Sequence, residues 1–349
     1  SSKCVSSFLR SLGDDPVDIK SLDLDGVAGL LKSGKAQNIA FLTGAGISVG
    51  AGIPDFRSPG GMYDTLRPEL LTATREERRF MAMEPSAVVS WDIFRGNQFP
   101  YLELRRPFIL GIAEQKWKPT LSHFFIKLCD QKNMLKRLYT QNIDGLDYPL
   151  GIDKSKIVPV HGSLGIASCE FCGADYPFDK FRQQVSTKIR DIYEKDSKAP
   201  NKSENILCLN CKKPGVKPNT VLYGRSLPKE FDIACRKDFP NQVDILFVVG
   251  TSLTVGPANS VVYRVNNSCI RVIVNREPVG SGLGIKYGKS SIRDVFCSGN
   301  CDDVFLDLAQ KLGWLGDLEK YIEQMAPKSS ELLKKRLEVL KAESKKSQS

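Results

Sequence analysis

Two cysteine pairs constrain this chain more than any other feature: Cys169-Glu170-Phe171-Cys172 and Cys208-Leu209-Asn210-Cys211. A two-residue spacer turns two thiolates toward one ion. Two such knuckles supply four sulfurs to a closed tetrahedral zinc site, which staples loops and leaves no position for a reacting water. We therefore expect one structural zinc on Cys169, Cys172, Cys208 and Cys211. The 35 residues between the pairs, 173–207, exceed the usual spacing of about 15 to 20. The stretch DKFRQQVSTKIRDIYEKD within them reads as an inserted polar helix that accounts for the length. The competing readings are two redox-active dithiols, or unrelated cysteines that happen to be near neighbours. Cys4, Cys129, Cys235, Cys269 and Cys297 have no neighbour at ligand spacing and read as small packing residues.

Ten cysteines in 349 residues do not imply a disulfide framework, because a chain of this length can bury a core. A reducing, intracellular compartment is the expectation, and the first residues lack the pattern of a secretory signal. With 41% hydrophobic and 26% charged residues, collagen-like, disordered and membrane classes are disfavoured. The longest apolar run, residues 244–250, falls far short of the roughly 18 residues of a membrane span. The net charge of +10 raises the question of an anionic partner.

The segment KAQNIAFLT, residues 35–43, reads as a buried strand that runs into Gly44-Ala45-Gly46-Ile47-Ser48-Val49-Gly50-Ala51-Gly52. Glycines at such a junction allow a tight turn and close approach of a pyrophosphate to backbone N–H groups. By itself this is a common turn, with spacing G-x-G-x-x-x-G in place of the usual dinucleotide fingerprint. Polar residues recur, however, after other apolar runs: Thr140 to Gly145 after LKRLY, Gly250-Thr251-Ser252 after VDILFVV, and Asn275-Arg276-Glu277 after IRVIV. Loops at the carboxyl ends of parallel strands collect ligands in one crevice. The unbroken apolar runs suit strands buried on both faces by helices such as residues 121–131. The expected class is α/β, a doubly wound parallel sheet.

Taken in order, Gly44 to Ser48, Gly52-Ile53-Pro54-Asp55-Phe56-Arg57, Thr140-Gln141-Asn142-Ile143-Asp144, His161-Gly162, the two knuckles and Gly250-Thr251-Ser252-Leu253 resemble the sirtuin (Sir2) family across residues 38 to about 312. Tyr139 to Leu146 and Val216-Lys217-Pro218 resemble its eukaryotic class that includes the cytosolic tubulin-deacetylating type. The resemblance implies an NAD-consuming protein-lysine deacylase that releases nicotinamide and 2′-O-acyl-ADP-ribose. It implies a Rossmann-like sheet domain (35–60, 115–162 and 215–312), a cofactor loop and helical module (61–114) and a zinc-binding module (163–214). An N-terminal extension (1–34) and a C-terminal helix with a polar tail (313–349) flank them. Ala45, Gly46, Ile47, Ser48 and the adjoining Val49 would cradle the diphosphate, and Asp55, Phe56 and Arg57 would lie on a mobile loop over NAD. Gln141, Asn142, Ile143 and Asp144 would meet the nicotinamide ribose and, with Ile53, the nicotinamide pocket. Gly250, Thr251 and Ser252 would hold the phosphate and adenosine end, Asn275, Arg276 and Glu277 the adenine ribose, and the backbone of Cys301 the adenine. Val221, Leu222, Tyr223, Gly224, Arg225 and Val255 would flank the acyl-lysine peptide.

Such chemistry requires positioning of NAD and exclusion of water, then a general base to take a ribose hydroxyl proton. His161, one of only two histidines, is assigned as that base, with Asn142 beside it; an imidazole has an appreciable neutral fraction at cellular pH. His123, in an apolar helix-like stretch, reads as a packing or capping residue. Arg225 stands where an acidic residue is common, so it would reverse a local charge and favour acidic residues beside the acyl-lysine. Leu164, where an aromatic is frequent, would widen the acyl pocket. Leu333, Leu337 and Leu340 read as the apolar stripe of a short C-terminal helix. Acylated-lysine proteins such as histone tails or tubulin are the expected partners, with no membrane and no direct nucleic-acid ligand, in the cytoplasm with access to the nucleus. The alternatives weighed are protein ADP-ribosylation, a zinc-containing nucleic-acid binder, and a hydride-transferring dehydrogenase, which would leave the knuckles and His161 unexplained.

Overall fold

The computed structural model describes residues 19–54 and 60–346. Its centre is a six-stranded sheet of β1 (Ile39–Thr43), β2 (Leu135–Thr140), β3 (Ile157–Pro159), β7 (Ile245–Val249), β8 (Ile270–Asn275) and β9 (Asp294–Ser298), in the spatial order β3-β2-β1-β7-β8-β9. All neighbours are parallel. Every residue of β1 and β7 is buried, as continuous apolar runs require when helices cover both faces. Helices α1 (Leu24–Lys32), α4 (Leu121–Gln131), α7 (Cys301–Leu312) and α8 (Pro327–Lys346) pack with one face, and α6 (Lys229–Asp238) with the other. The chain leaves β1 in one direction toward β2 and β3, and returns to its other side at β7. That reversal opens a crevice beyond the carboxyl ends of β1 and β7, where open α/β sheets bind ligands.

A second core joins the helices α2 (Arg75–Met83) and α3 (Phe99–Ala113) to a small antiparallel sheet of β4 (Gly162–Cys169), β5 (Asp175–Tyr176) and β6 (Val216–Thr220). Phe94, Tyr101, Leu102, Leu164 and Phe181 are buried there. The strand β6 pairs with β4, so residues 216–220, expected with the large sheet, belong to the small one.

The glycine-rich turn takes a definite form, and two local expectations change. Residues 45–51 form a single 3-10 helix after the β1 turn. The polar insertion expected over 179–196 is helical as α5 (Phe178–Lys188) and stops there. Arg106 closes its end by donating to the Ile189 and Ser186 carbonyls, and the Asp191 carboxylate accepts the N–H groups of Tyr193, Lys195 and Asp196, folding the next residues into a turn. The C-terminal helix is longer than its leucine stripe implied: α8 runs for 20 residues, with Leu333 fully buried and Leu337 and Leu340 half-buried on the main core. Among the described residues no helix is long and apolar enough to cross a membrane.

Candidate active site

The floor of the crevice depends on two glycines in contact. The Gly46 N–H donates to the Gly250 carbonyl at 2.8 Å. A Cβ on Gly46 would lie 2.6 Å from the Gly250 Cα, and one on Gly250 would lie 2.7 Å from the Gly46 carbonyl carbon. Any side chain at either position would push the two strand-end loops apart. Gln141 ties in the third loop, its Nε2 donating to Thr251 Oγ1 at 3.0 Å and to the Thr43 carbonyl at 3.3 Å.

These loops border a cavity of about 1170 Å³. One end is formed by Asn275, the last residue of β8, by Arg276 and Glu277 after it, and by Cys301, the first residue of α7. The middle is formed by Ala45, Gly46, Ile47, Val49, Gly250, Thr251 and Ser252. Gln141, Asn142, Ile143 and His161 line the cavity beyond them, together with Val221, Leu222, Tyr223, Gly224, Arg225 and Val255, and the Val221 N–H donates to the His161 carbonyl at 2.9 Å. Ser48 and Asp144 line a smaller adjoining recess with Ile53, Ala45, Asn142, Ile143 and Leu164. Asp55, Phe56 and Arg57 lie outside the described residues. Burial pushes the Cys301 thiol up to about 12, so it stays protonated and unreactive.

His161 sits at the entry to β4. Its Nδ1 lies 2.9 Å from the Gln141 carbonyl, an acceptor, so Nδ1 carries the proton and Nε2 the lone pair. That Nε2 is buried without a hydrogen-bond partner among the described residues. Burial lowers the imidazole pKa, and the Gln141 carbonyl opposes that shift. Gly162 follows with φ +78°, and a Cβ there would stand 1.8 Å from the Asn219 carbonyl oxygen, so the close pass of β6 explains the His-Gly pair. Asn142 is locked from below: its Nδ2 donates to the Gly44 carbonyl at 3.1 Å and to Ser48 Oγ at 3.2 Å. Ser48 Oγ donates to Asp144 Oδ2 at 2.7 Å, and burial raises the Asp144 pKa against that bond. His123 is a cap, its Nδ1 accepting the Thr120 N–H at 3.2 Å.

The sulfurs of Cys169, Cys172, Cys208 and Cys211 all lie within 4.8 Å of one another, with Cys169 to Cys211 and Cys172 to Cys208 both at 3.7 Å. A tetrahedron with metal–sulfur bonds of about 2.3 Å has edges of about 3.8 Å, whereas a disulfide needs about 2.05 Å. The cage fits one zinc and excludes two disulfides.

Two substrate-side expectations need correction. The charge of Arg225 is offset, because its Nε lies 3.0 Å from Glu170 Oε1 in the first knuckle and its guanidinium stacks 4.9 Å from the Trp91 ring. Glu170 also holds the buried Lys217, whose Nζ is 3.0 Å from Oε2. Leu164 is buried against the helical module and borders the recess beside Asp144, so it does not enlarge the peptide end.

Several lining residues went unnoticed in the sequence: Tyr101 and Arg105 from α3, and Lys328 and Leu332 from the first turns of α8. None belongs to a spaced motif. The helical module was legible only as helices, and the α8 contribution follows from tertiary docking, with Ser329 Oγ donating to Asp302 Oδ2 at 2.6 Å.

Comparison with known proteins agrees with this geometry. The family profile described as "Sir2 family" matches residues 44–257. The chain is 35% identical over 335 residues to the NAD-dependent protein deacetylase sirtuin-2 of Danio rerio, covering 91% of this chain and 80% of that protein. It is 34% identical to the NAD-dependent protein deacetylase hst2 of Schizosaccharomyces pombe, over 87% of this chain and 80% of that one. The Candida albicans NAD-dependent protein deacetylase HST2 is 36% identical over 87% of this chain and 81% of its own length.

Proposed function

The chain belongs to the Sir2 family of NAD-dependent protein deacetylases, and from that premise we propose that His161 is the general base of its reaction. One observation carries the assignment: an imidazole whose tautomer is fixed by the Gln141 carbonyl presents a lone pair with no hydrogen-bond partner among the described residues, at the end of the cavity bordered by Asn142 and Tyr223. Bound NAD supplies the electrophilic ribose and the leaving nicotinamide. His161 Nε2 would take a ribose hydroxyl proton. Asn142, locked by Gly44 and Ser48, would orient the sugar without rotamer searching. Ala45 to Val49 with Gly250 to Ser252 would hold the diphosphate, Asn275 to Glu277 and Cys301 the adenosine end, and Ile53, Ile143 and Asp144 the nicotinamide.

Residues 221–225 and Val255 would receive the acyl-lysine segment of a protein substrate, and one structural zinc on the four cysteines would hold β4 and β6 in register beneath it. The likeness of Tyr139 to Leu146 and Val216 to Pro218 to the tubulin-deacetylating type supports tubulin and histone tails as substrates and a cytoplasmic enzyme with access to the nucleus. Mass spectrometry of the products from NAD and an acetyl-lysine peptide tests the reading. O-acetyl-ADP-ribose and free nicotinamide are expected from wild type, with O-acetyl-ADP-ribose lost in His161→Ala. NADH formation would indicate hydride transfer and overturn it.

A further inference from the structure

The C-terminal helix reaches the cavity, and neither the base assignment nor the strand-end motifs make use of it. Helix α8 begins at Pro327, and its first turns are seated by specific bonds. The Ala326 N–H donates to the Pro119 carbonyl at 2.8 Å, and Ser329 Oγ donates to Asp302 Oδ2 at 2.6 Å. Asp302 is held in turn by Ser122, whose N–H and hydroxyl donate to Oδ1 at 3.0 and 2.5 Å. Ser329 and Leu333 are fully buried. A Cβ on Gly50 would lie 3.2 Å from Asp302 Oδ2 and 3.6 Å from Ser329 Oγ. The start of α8 therefore meets both the turn of residues 45–51 and the start of α7, the two elements assigned to the diphosphate and the adenosine end.

Lys328 and Leu332, four residues apart on one helix face, both line the cavity with Val49, Gly50, Cys301 and Asp302. Leu332 is half-buried and Lys328 is exposed. Further along α8 the basic residues are matched to acids: Lys334 to Glu323, Lys335 to Glu331, Arg336 to Asp307 and Lys341 to Glu319. The Lys328 side chain has no hydrogen bond or ion pair among the described residues. The other cations of the cavity wall are already engaged, Arg105 with Met62 Sδ at 3.4 Å, Arg225 with Glu170 at 3.0 Å and Arg276 with Asn300 Oδ1 at 3.0 Å. The nearby carboxylates have other partners: Asp302 takes three donors from Ser122 and Ser329, and Asp303 Oδ2 accepts Asn300 Nδ2 at 2.8 Å. Neither residues 44–52 nor residues 250–256 include a charged side chain. The two loops assigned to the diphosphate thus offer it backbone donors and hydroxyls but no counter-charge.

We propose that α8 completes the cofactor site, with the Lys328 ammonium as counter-charge to the diphosphate and Leu332 as an apolar surface at the adenosine end. The inference rests on the reading of the cavity as the NAD site. A flexible stem carries the ammonium as a mobile point charge, so a cation of similar reach should serve in its place.

Calorimetric titration of NAD and of ADP-ribose into the full chain tests the proposal. Lys328→Ala should raise both dissociation constants about three- to tenfold and Lys328→Glu at least about tenfold, while Lys328→Arg should stay within about twofold of wild type. Raising the salt from about 50 to about 500 mM should narrow the gap between wild type and Lys328→Ala, because the attraction is screened. The KM for an acetyl-lysine peptide should not follow these changes, since residues 221–225 border another part of the cavity. Melting temperatures of the three variants should match wild type, because the side chain is exposed and makes no bond that folding needs. NAD binding unchanged in Lys328→Glu would overturn the proposal. So would tighter binding in Lys328→Ala, the mark of a helix that merely obstructs the cavity, or an equal loss in Lys328→Arg. A wild-type chain that binds neither NAD nor ADP-ribose removes the cavity reading as well, whereas dinucleotide binding indifferent to the charge at residue 328 removes this inference alone.

Discussion

Replacing His161 by alanine separates a catalytic from a structural histidine. The side chain makes one hydrogen bond, to the Gln141 carbonyl, and its other nitrogen has no partner among the described residues. Its loss therefore removes about 1 kcal/mol of net hydrogen bonding, small against a folding free energy of about 5–15 kcal/mol, and the variant should fold with its zinc cage intact. Catalysis should suffer far more. A positioned general base contributes about 10²- to 10⁴-fold, equivalent to about 2.7–5.5 kcal/mol of barrier. Single-turnover deacetylation should fall by that factor while NAD affinity, measured by calorimetry, stays within about threefold, because the diphosphate and adenosine contacts lie elsewhere in the cavity. The wild-type pH profile supplies a second reading. The base works when neutral, and burial holds its pKa below 6.5, so activity should persist below that pH before the acid limb falls. A variant turning over within tenfold of wild type, or an acid limb centred above 6.5, would refute the base role.

Three further outcomes follow from individual contacts. Cys172→Ala or Cys208→Ala should take zinc content from about one ion per chain to none and lower the melting temperature, since three thiolates no longer close the cage; metal-free wild type would refute the site. Gly46→Ala drives a methyl to 2.6 Å from the Gly250 Cα and should cost about 1–3 kcal/mol of stability together with at least about tenfold in NAD affinity, read by denaturant unfolding and calorimetry; unchanged NAD binding would show that the two loops need not touch. Glu170→Gln removes the carboxylate that offsets Arg225 and should strengthen any preference for acidic residues beside the acyl-lysine, whereas Arg225→Glu should abolish it, each by about three- to tenfold in KM across a positional peptide library; an identical library profile in both variants would exclude Arg225 from substrate reading.

What could be read from the sequence was whatever is encoded at short range. The knuckles, the strand Ile245–Val249 and the helix Leu121–Gln131 each announce themselves within a dozen residues, and the structure contains them with those bounds or nearly so. The cavity was legible because parallel strands deliver their following loops to one edge, whatever the helices do. The ending of α5 was not: it depends on Arg106 reaching 83 residues along the chain to the Ile189 carbonyl. The contribution of Arg105 and Lys328 to the cavity was hidden for the same reason, since no spacing rule connects α3 or α8 to the β1 loop.

That division has a consequence for how this enzyme would acquire specificity. The strand-end loops are locked to one another by backbone contacts such as Gly46 to Gly250, which tolerate little change without loss of the crevice. The substrate end is tuned differently. The Tyr223 N–H donates to the Val89 carbonyl and the Trp91 N–H to the Tyr223 carbonyl, so the helical module is bridged directly to the segment that would receive the peptide. Glu170 then clamps Arg225 from the zinc knuckle while Trp91 supports its guanidinium from the helical module. The Val221 N–H donates to the His161 carbonyl at 2.9 Å, so the backbones of the two sets are joined. Among the described residues, however, the Glu170 and Lys217 side chains that hold this corner make no hydrogen bond to His161 or to residues 140–146, and changes in those side chains can move Arg225 while the catalytic loops stay in place. Substrate preference in this chain should accordingly respond to substitutions at Trp91, Glu170 and Lys217 that leave nicotinamide release from a saturating peptide near the wild-type rate.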